Sequence, residues 1–301
     1  MMNRLADERG AALVLVAAAL VALLGFGAVV IDVGVLYLNR ERLSNAADAA
    51  ALAGSQFLPD DPATAVSTAQ HYALRNGIQP GELTVSVGPY GNSITVDVQR
   101  QVSLSLAKVL GLTSAQVTGH AKVQVGGADE VSGVVPLGVP DQTLEYGTLY
   151  SLKVGGGAGE HGNFGALALG GHGACNYEDN LRDGYQGWLK INDIIETEPG
   201  NMSGPTERAI EDRISGHESC TFNNHCLNCP RVIVVPVYQY LGELQGRSQV
   251  KIVGFASFFL DGVTGHGKDS YVNGYFIETL SSNARRNDGA DYGLRSVKLV
   301  E

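Results

Sequence analysis

From Ala11 to Ile31 the chain runs twenty-one residues without a charged or strongly polar side chain. As a helix, that stretch spans about 31 Å, the thickness of a bilayer's hydrocarbon core. A cleavable signal peptide has a shorter apolar core of about 7–15 residues followed by a small-residue cut. Here the helical pattern instead continues past Asp32, so the run predicts a retained transmembrane helix. Glycine and proline are absent from Val35 to Ala53, and alanine and leucine dominate, which extends the same helix to Phe57. Ala46, Ala50 and Gly54 fall at i, i+4 and i+8 with Ala47 and Ala51 beside them. A stripe of such small residues admits the close approach of another helix, either a partner's or one from the same domain.

Beyond the long helix the period changes. Asp61 is placed as an N-cap with Pro62 in the first helical position, predicting a helix over 62–76 that stops at Gly77. Residues 83–88 and 93–104 alternate apolar and polar about a Pro-Tyr-Gly-Asn turn, predicting a hairpin. A short helix over Leu106–Leu112 and a strand over 115–125 complete a small α+β module. Gly126-Gly127-Ala128-Asp129-Glu130 opens a predicted linker, 126–140. The remainder, 141–301, reads as a glycine-rich, β-rich distal module with strands at 232–241, 249–260 and 271–280 and a short helix at 205–214. The expected organisation is α+β: residues 1–10 cytoplasmic, 11–31 in the membrane, 32–125 the helix extension and first module, then linker and distal module.

Charge refines this picture. The net charge is −10, and residues 1–42 sum to zero, with four arginines against Asp7, Glu8, Asp32 and Glu41, so the whole excess lies downstream. An acidic chain lacks the basic face that nucleic acid demands, and no nucleic-acid partner is expected. Lys and Arg are tied across the span, but Arg9 and the free amino terminus lie on the near side. This predicts a cytoplasmic amino terminus and an extracytoplasmic bulk. Nine glycines fall between Gly155 and Gly173, but no Walker Lys-Ser/Thr pair follows. Gly262 to Lys268 fits G-x4-G-K, yet Asp269 stands where a hydroxyl should bind magnesium, so a surface turn is expected there.

One part of the chain carries a resemblance. Arg9-Gly10-Ala11-Ala12, Ile31-Asp32-Val33-Gly34, Tyr37-Leu38-Asn39-Arg40 and Leu43-Ser44-Asn45-Ala46-Ala47-Asp48-Ala49-Ala50-Ala51-Leu52-Ala53 together resemble the amino-terminal signature of the Tad (tight adherence) TadE/TadG-like pilus-assembly family, with Ser44 in place of the usual glutamine. The resemblance covers about residues 9–55. It implies a membrane-anchored, pilin-like structural component of a Flp pilus assembly or related secretion machine. Its partners would be membrane lipid and other pilus-assembly or pilin-like membrane proteins, and no catalytic residue is implied. Pilin-type precursors carry a glutamate five residues after the cleavage point. Here Leu15 holds that position after Gly10, so an uncleaved anchor is expected.

Candidate chemistry lies far downstream. Cys175, Cys220, Cys226 and Cys229 are an even set in a region expected to be exported, and are read as two disulfides in one of three connectivities. The alternative takes His217-x2-Cys220-x5-Cys226-x2-Cys229 as four zinc ligands, since C-x2-C is a good chelating spacing. His161, His172, His217 and His266 lie in loops near Glu160, Glu178, Asp179 and Glu218, but neither HExxH nor GxSxG occurs. A structural protein without cofactor, bound metal, small-molecule substrate or enzymatic activity is therefore expected. The second hypothesis is an anchored metal-binding module or hydrolase using the His/Cys-rich loops.

Overall fold

The computed structural model describes residues 8–153, 165–198, 200–242, 247–267, 270–281, 283–285 and 289–300. The chain divides into two compact units, Met1–Val123 with Leu299–Glu301, and Gln124–Lys298. The architecture is α+β, a long apolar amino-terminal helix followed by β-rich structure.

The first unit is organised by α1, a continuous helix over Glu8–Ser55. Its two halves have opposite surroundings. From Ala12 to Ile31 the side chains are exposed, with Ala28 alone half-exposed, and Leu13 and Phe26 each keep 73% of their surface free. This half is long and apolar enough to cross a membrane. Past Asp32 the helix enters a core in which Leu43, Ala46, Ala47, Ala50 and Ala51 are buried. A second helix, α2 (Pro62–Arg75), starts where expected: Asp61 Oδ1 accepts the Thr64 amide at 3.0 Å. Its own stripe, Ala65, Ala69 and Ala73, is fully buried. Small residues on both helices let the backbones close up; a Cβ placed on Gly54 would lie 2.7 Å from the Ala65 carbonyl oxygen.

The hairpin forms as predicted. β1 (Leu83–Val87) pairs antiparallel with β2 (Ser93–Ser103), from Leu83 opposite Val98 to Val87 opposite Ile94. Ile94, Val96, Val98 and Val102 form the buried face of β2 at period two. β3 (Ser114–Gly127) lies beside β2 and carries the chain onward. At Gly119 this strand rests on the backbone of α1, where an added Cβ would sit 2.6 Å from the Leu43 carbonyl carbon. Only glycine permits that approach.

Asp32 connects the end of the apolar run to this module. Its buried carboxylate accepts the amides of Ser105 at 2.8 Å, Leu106 at 3.0 Å and Ala107 at 2.6 Å. Those amides open a single 3-10 turn over Ala107–Leu110, where a longer helix had been expected. Charge-assisted acceptors are the stronger kind, and three donors depend on one side chain. Asp32→Ala is accordingly expected to speed amide hydrogen exchange across 105–112, leaving β1 and β2 protected. Asp32→Asn, which keeps a neutral oxygen, should fall between. Unchanged exchange in the alanine variant would refute this role.

In the second unit, the stretch expected as a linker is structural. β4 (Glu130–Val134) and β5 (Leu137–Pro140) occupy it, and Val131, Val134, Val135, Leu137 and Val139 are fully buried. The small and acidic residues at its start masked an apolar run that pairs in parallel with the central strand. The other elements follow: β6 (Leu149–Lys153), β7 (Gly165–Ala166), α3 (Ala174–Asp183), β8 (Tyr185–Lys190), β9 (Ile194–Glu196), α4 (Ser203–Ile214), β10 (Val232–Leu241), β11 (Gln249–Thr264), β12 (Tyr271–Ile277), β13 (Thr279–Leu280), β14 (Ala284–Arg285) and β15 (Leu294–Leu299). The main sheet runs β4-β10-β11-β12-β6, with β8 on β4 and β9 on β11. Both faces are covered. Ile233, Val235, Val237, Ala256 and Phe258 face a core shared with Tyr177 and Leu181 of α3 and Ala209 and Ile210 of α4. Val250, Ile252, Phe255 and Tyr238 belong to a second core with Leu167, Leu169 and Leu189.

Candidate functional site

The loop from α4 to β10 holds three of the four cysteines. Only Cys229 is buried between Ser215 and Pro230, so side-chain burial contributes little to holding this loop. Its backbone makes two short turns. The Cys220 amide donates to the His217 carbonyl at 3.0 Å, and the Cys229 amide to the Cys226 carbonyl at 3.2 Å. Between them Thr221 and Asn224 bridge each other at 2.9 and 3.1 Å. Asn228 takes the left-handed conformation, φ 57°, inside the second turn, a position that asparagine tolerates better than most residues. Each turn therefore presents a donor at its first and fourth residues: His217 with Cys220, and Cys226 with Cys229.

These donors converge. One ring nitrogen of His217 and the sulfurs of Cys220, Cys226 and Cys229 all lie within 4.8 Å of one another. The His217 Nδ1 to Cys226 Sγ distance is 3.6 Å. The expected disulfides are not formed: all four cysteines are free thiols. Cys175 lies exposed in the first turn of α3, whereas the other three gather with an imidazole around a common point. The thiols differ in acidity. The backbone at Cys226 and the His217 ring beside it favour the Cys220 thiolate and lower its pKa to about 7. Burial raises that of Cys229 to about 11.

Two arginines outside the His/Cys motif anchor the loop. Arg231, 5% exposed, donates to the carbonyls of Leu260 at 2.8 Å, Cys220 at 2.9 Å and His217 at 3.1 Å, and lies over the Phe259 ring at 4.6 Å. Arg213 donates to the Leu181 carbonyl at 2.6 Å and the Pro230 carbonyl at 2.8 Å, and burial lowers its pKa to about 10. Phe222 stacks on Tyr275 at 4.3 Å, fixing the outer turn to β12.

The remaining candidates separate. His172 bridges two carboxylates, Glu198 through Nδ1 and Glu196 through Nε2, each at 2.9 Å. Glu178 pairs with Arg182 and Arg208, which binds α3 to α4, and Glu218 caps the Gly216 amide at 3.0 Å. Asp179 is mostly exposed beside Arg182, and His120 pairs with Asp97 at 2.7 Å. His161, Glu160 and most of the glycine run lie outside the described residues, as do Lys268 and Asp269 of the G-x4-G-K match. A cleft lined by Asp141, Asp291 and Tyr292 has neither imidazole nor thiol in its lining.

In the first unit, the stripe of Ala46, Ala47, Ala50, Ala51 and Gly54 is filled from within the chain. Gly54 is against Ala65, Ala69 and Ile94, so the helix approaching it is α2. Residues 10–71 match the Tad family, described as "Putative Flp pilus-assembly TadE/G-like". That match takes in the apolar half of α1, its packed half and most of α2. No curated protein and no solved structure matches the chain.

Proposed function

We propose that this chain is a single-pass membrane protein, with the amino terminus in the cytoplasm and everything beyond the apolar half of α1 outside it. It would serve as an uncleaved structural component of a Flp/Tad-type pilus assembly or related secretion machine. The observation that supports this is the coincidence of the family match with a helix whose apolar half is exposed among the described residues. An exposed apolar surface of that extent needs lipid or other helices around it. Lateral contact with pilin-like membrane proteins is assigned to this half, because the packed half already has α2 as its neighbour.

Deletion of the gene is expected to abolish surface pili, and the wild-type chain to restore them. A Leu20→Arg, Leu24→Arg double variant should leave the membrane fraction and fail to restore piliation. Each arginine near mid-bilayer costs about 2.5–3.5 kcal/mol on the insertion scale. Protease added to spheroplasts should digest the second unit and the packed half of the first. Normal piliation in the deletion strain would overturn the proposal. The metal-binding half of the alternative reading is supported by the thiol cluster and is compatible with this role.

A further inference from the structure

We infer that His217, Cys220, Cys226 and Cys229 form a closed structural zinc site that folds the loop between α4 and β10. The inference goes beyond the pilus reading and does not depend on it.

Four observations carry it. First, the donor set is one imidazole and three thiols, soft ligands that suit zinc and not magnesium or calcium. Second, the geometry is close to what the ion requires. Bonds of about 2.0–2.3 Å to nitrogen and sulfur give tetrahedral edges of roughly 3.5–3.8 Å. The His217 to Cys226 edge is 3.6 Å, and the widest separation in the set is within 4.8 Å. Binding would draw the donors together by about 1 Å at most, within the reach of side-chain rotation. Third, disulfide chemistry cannot satisfy this cluster internally. Three thiols leave one unpaired, whereas a tetrahedral ion uses all three and the imidazole.

Fourth, the surroundings are arranged for the ligands. Two turns present paired donors at i and i+3. Arg231 holds the carbonyls of both His217 and Cys220, and His225 Nδ1 lies 3.2 Å from the carbonyl of Cys226. Such outer partners orient metal ligands. Three thiolates on a divalent ion leave one net negative charge, and the buried guanidinium of Arg231 supplies the opposite charge. Protein donors fill all four positions, so no site remains for water or substrate; the ion is structural, not catalytic. It gives this loop the cross-link that its exposed side chains do not. Leu227, for example, is 92% exposed.

The test uses the full chain, purified in detergent from the cell envelope without chelator. One zinc per chain is expected by elemental analysis. Alkylation followed by peptide mapping should label Cys175 at once, and Cys220, Cys226 and Cys229 only after a chelator is added. Cobalt added to the reduced, metal-free chain should give the visible absorption of a tetrahedral thiolate complex. Cys226→Ser and His217→Gln should each weaken zinc binding by more than the roughly 10–100-fold cost of losing an outer partner, while Cys175→Ser leaves it unchanged. If a ligand variant fails to fold, the cobalt spectrum and alkylation pattern of the unaltered chain still decide. A zinc-free chain with a disulfide among the three cysteines would overturn the assignment. So would a reduced chain that takes up neither zinc nor cobalt.

Discussion

Gly54→Leu is expected to disrupt the first unit, although the change favours helix formation locally. Glycine in a helix costs about 1 kcal/mol relative to alanine, so at an open site its replacement stabilises. At Gly54 the site is closed. An added Cβ would stand 2.7 Å from the Ala65 carbonyl oxygen, 2.7 Å from Ile94 Cδ1 and 3.0 Å from Ala69 Cβ. Ile94 can rotate, but a helix carbonyl cannot move without displacing α2. Overpacking of this kind costs about 1–3 kcal/mol even for a small addition, so it outweighs the propensity gain. Gly54→Ala should therefore destabilise modestly, and Gly54→Leu should separate the two helices. Gly34 is the control: nothing lies within 4 Å of its Cβ position, and Gly34→Ala should be neutral or slightly stabilising. Hydrogen exchange over 43–75 measures the effect. Full protection in Gly54→Leu would contradict the packing described.

Arg231→Met is expected to destabilise the second unit by about 1–3 kcal/mol. The methionine fills much of the volume but donates nothing. The carbonyls of Leu260, His217 and Cys220 would each lose a donor at 2.8–3.1 Å, and Asp261 a weaker one at 3.3 Å. The Leu260 carbonyl is in a buried contact, where an unpaired acceptor carries its full desolvation cost, and the loop carbonyls, partly buried, lose the net value of their bonds. Arg231→Lys keeps the charge but not the planar fork, so it should recover only part of the loss. The chain has one tryptophan, Trp188, in β8 of the same unit, where Arg285 lies over its ring at 3.8 Å. Its fluorescence in a urea titration reads this unit, not α1. A midpoint unchanged in Arg231→Met would show that the arginine is dispensable.

The first unit was largely readable because its signals are local. A charge-free run, an Asp-Pro helix start and period-two alternation each act within a few residues, and helix, cap and hairpin appeared where expected. The relation of Asp32 to Ser105, Leu106 and Ala107 was not readable, since the partners lie more than seventy residues apart. In the second unit, composition misled. Gly126 to Glu130 has the residues of a linker, yet Gly127 is used for close backbone approach to Gly289 and Ala290. The cysteine spacing was visible, but the pairing was argued from the compartment expected for the region. A compartment sets redox conditions, whereas the positions of the sulfurs follow from turns at 217–220 and 226–229. Arg231 could not be singled out from other arginines, because its role depends on which carbonyls the fold leaves inward.

The continuity of α1 has a rotational consequence. A helix advances about 100° per residue, and the chain passes from the apolar half into the packed half with no break in the backbone. The azimuth of the packed half of the first unit around the helix axis is therefore phase-locked to the faces of the apolar half, which under the proposed function is the half that meets lipid. A flexible stalk would let these two directions drift apart. Here one residue more or less between them would swing the unit by over a quarter of a turn, so the length of the helix sets a direction as well as a height.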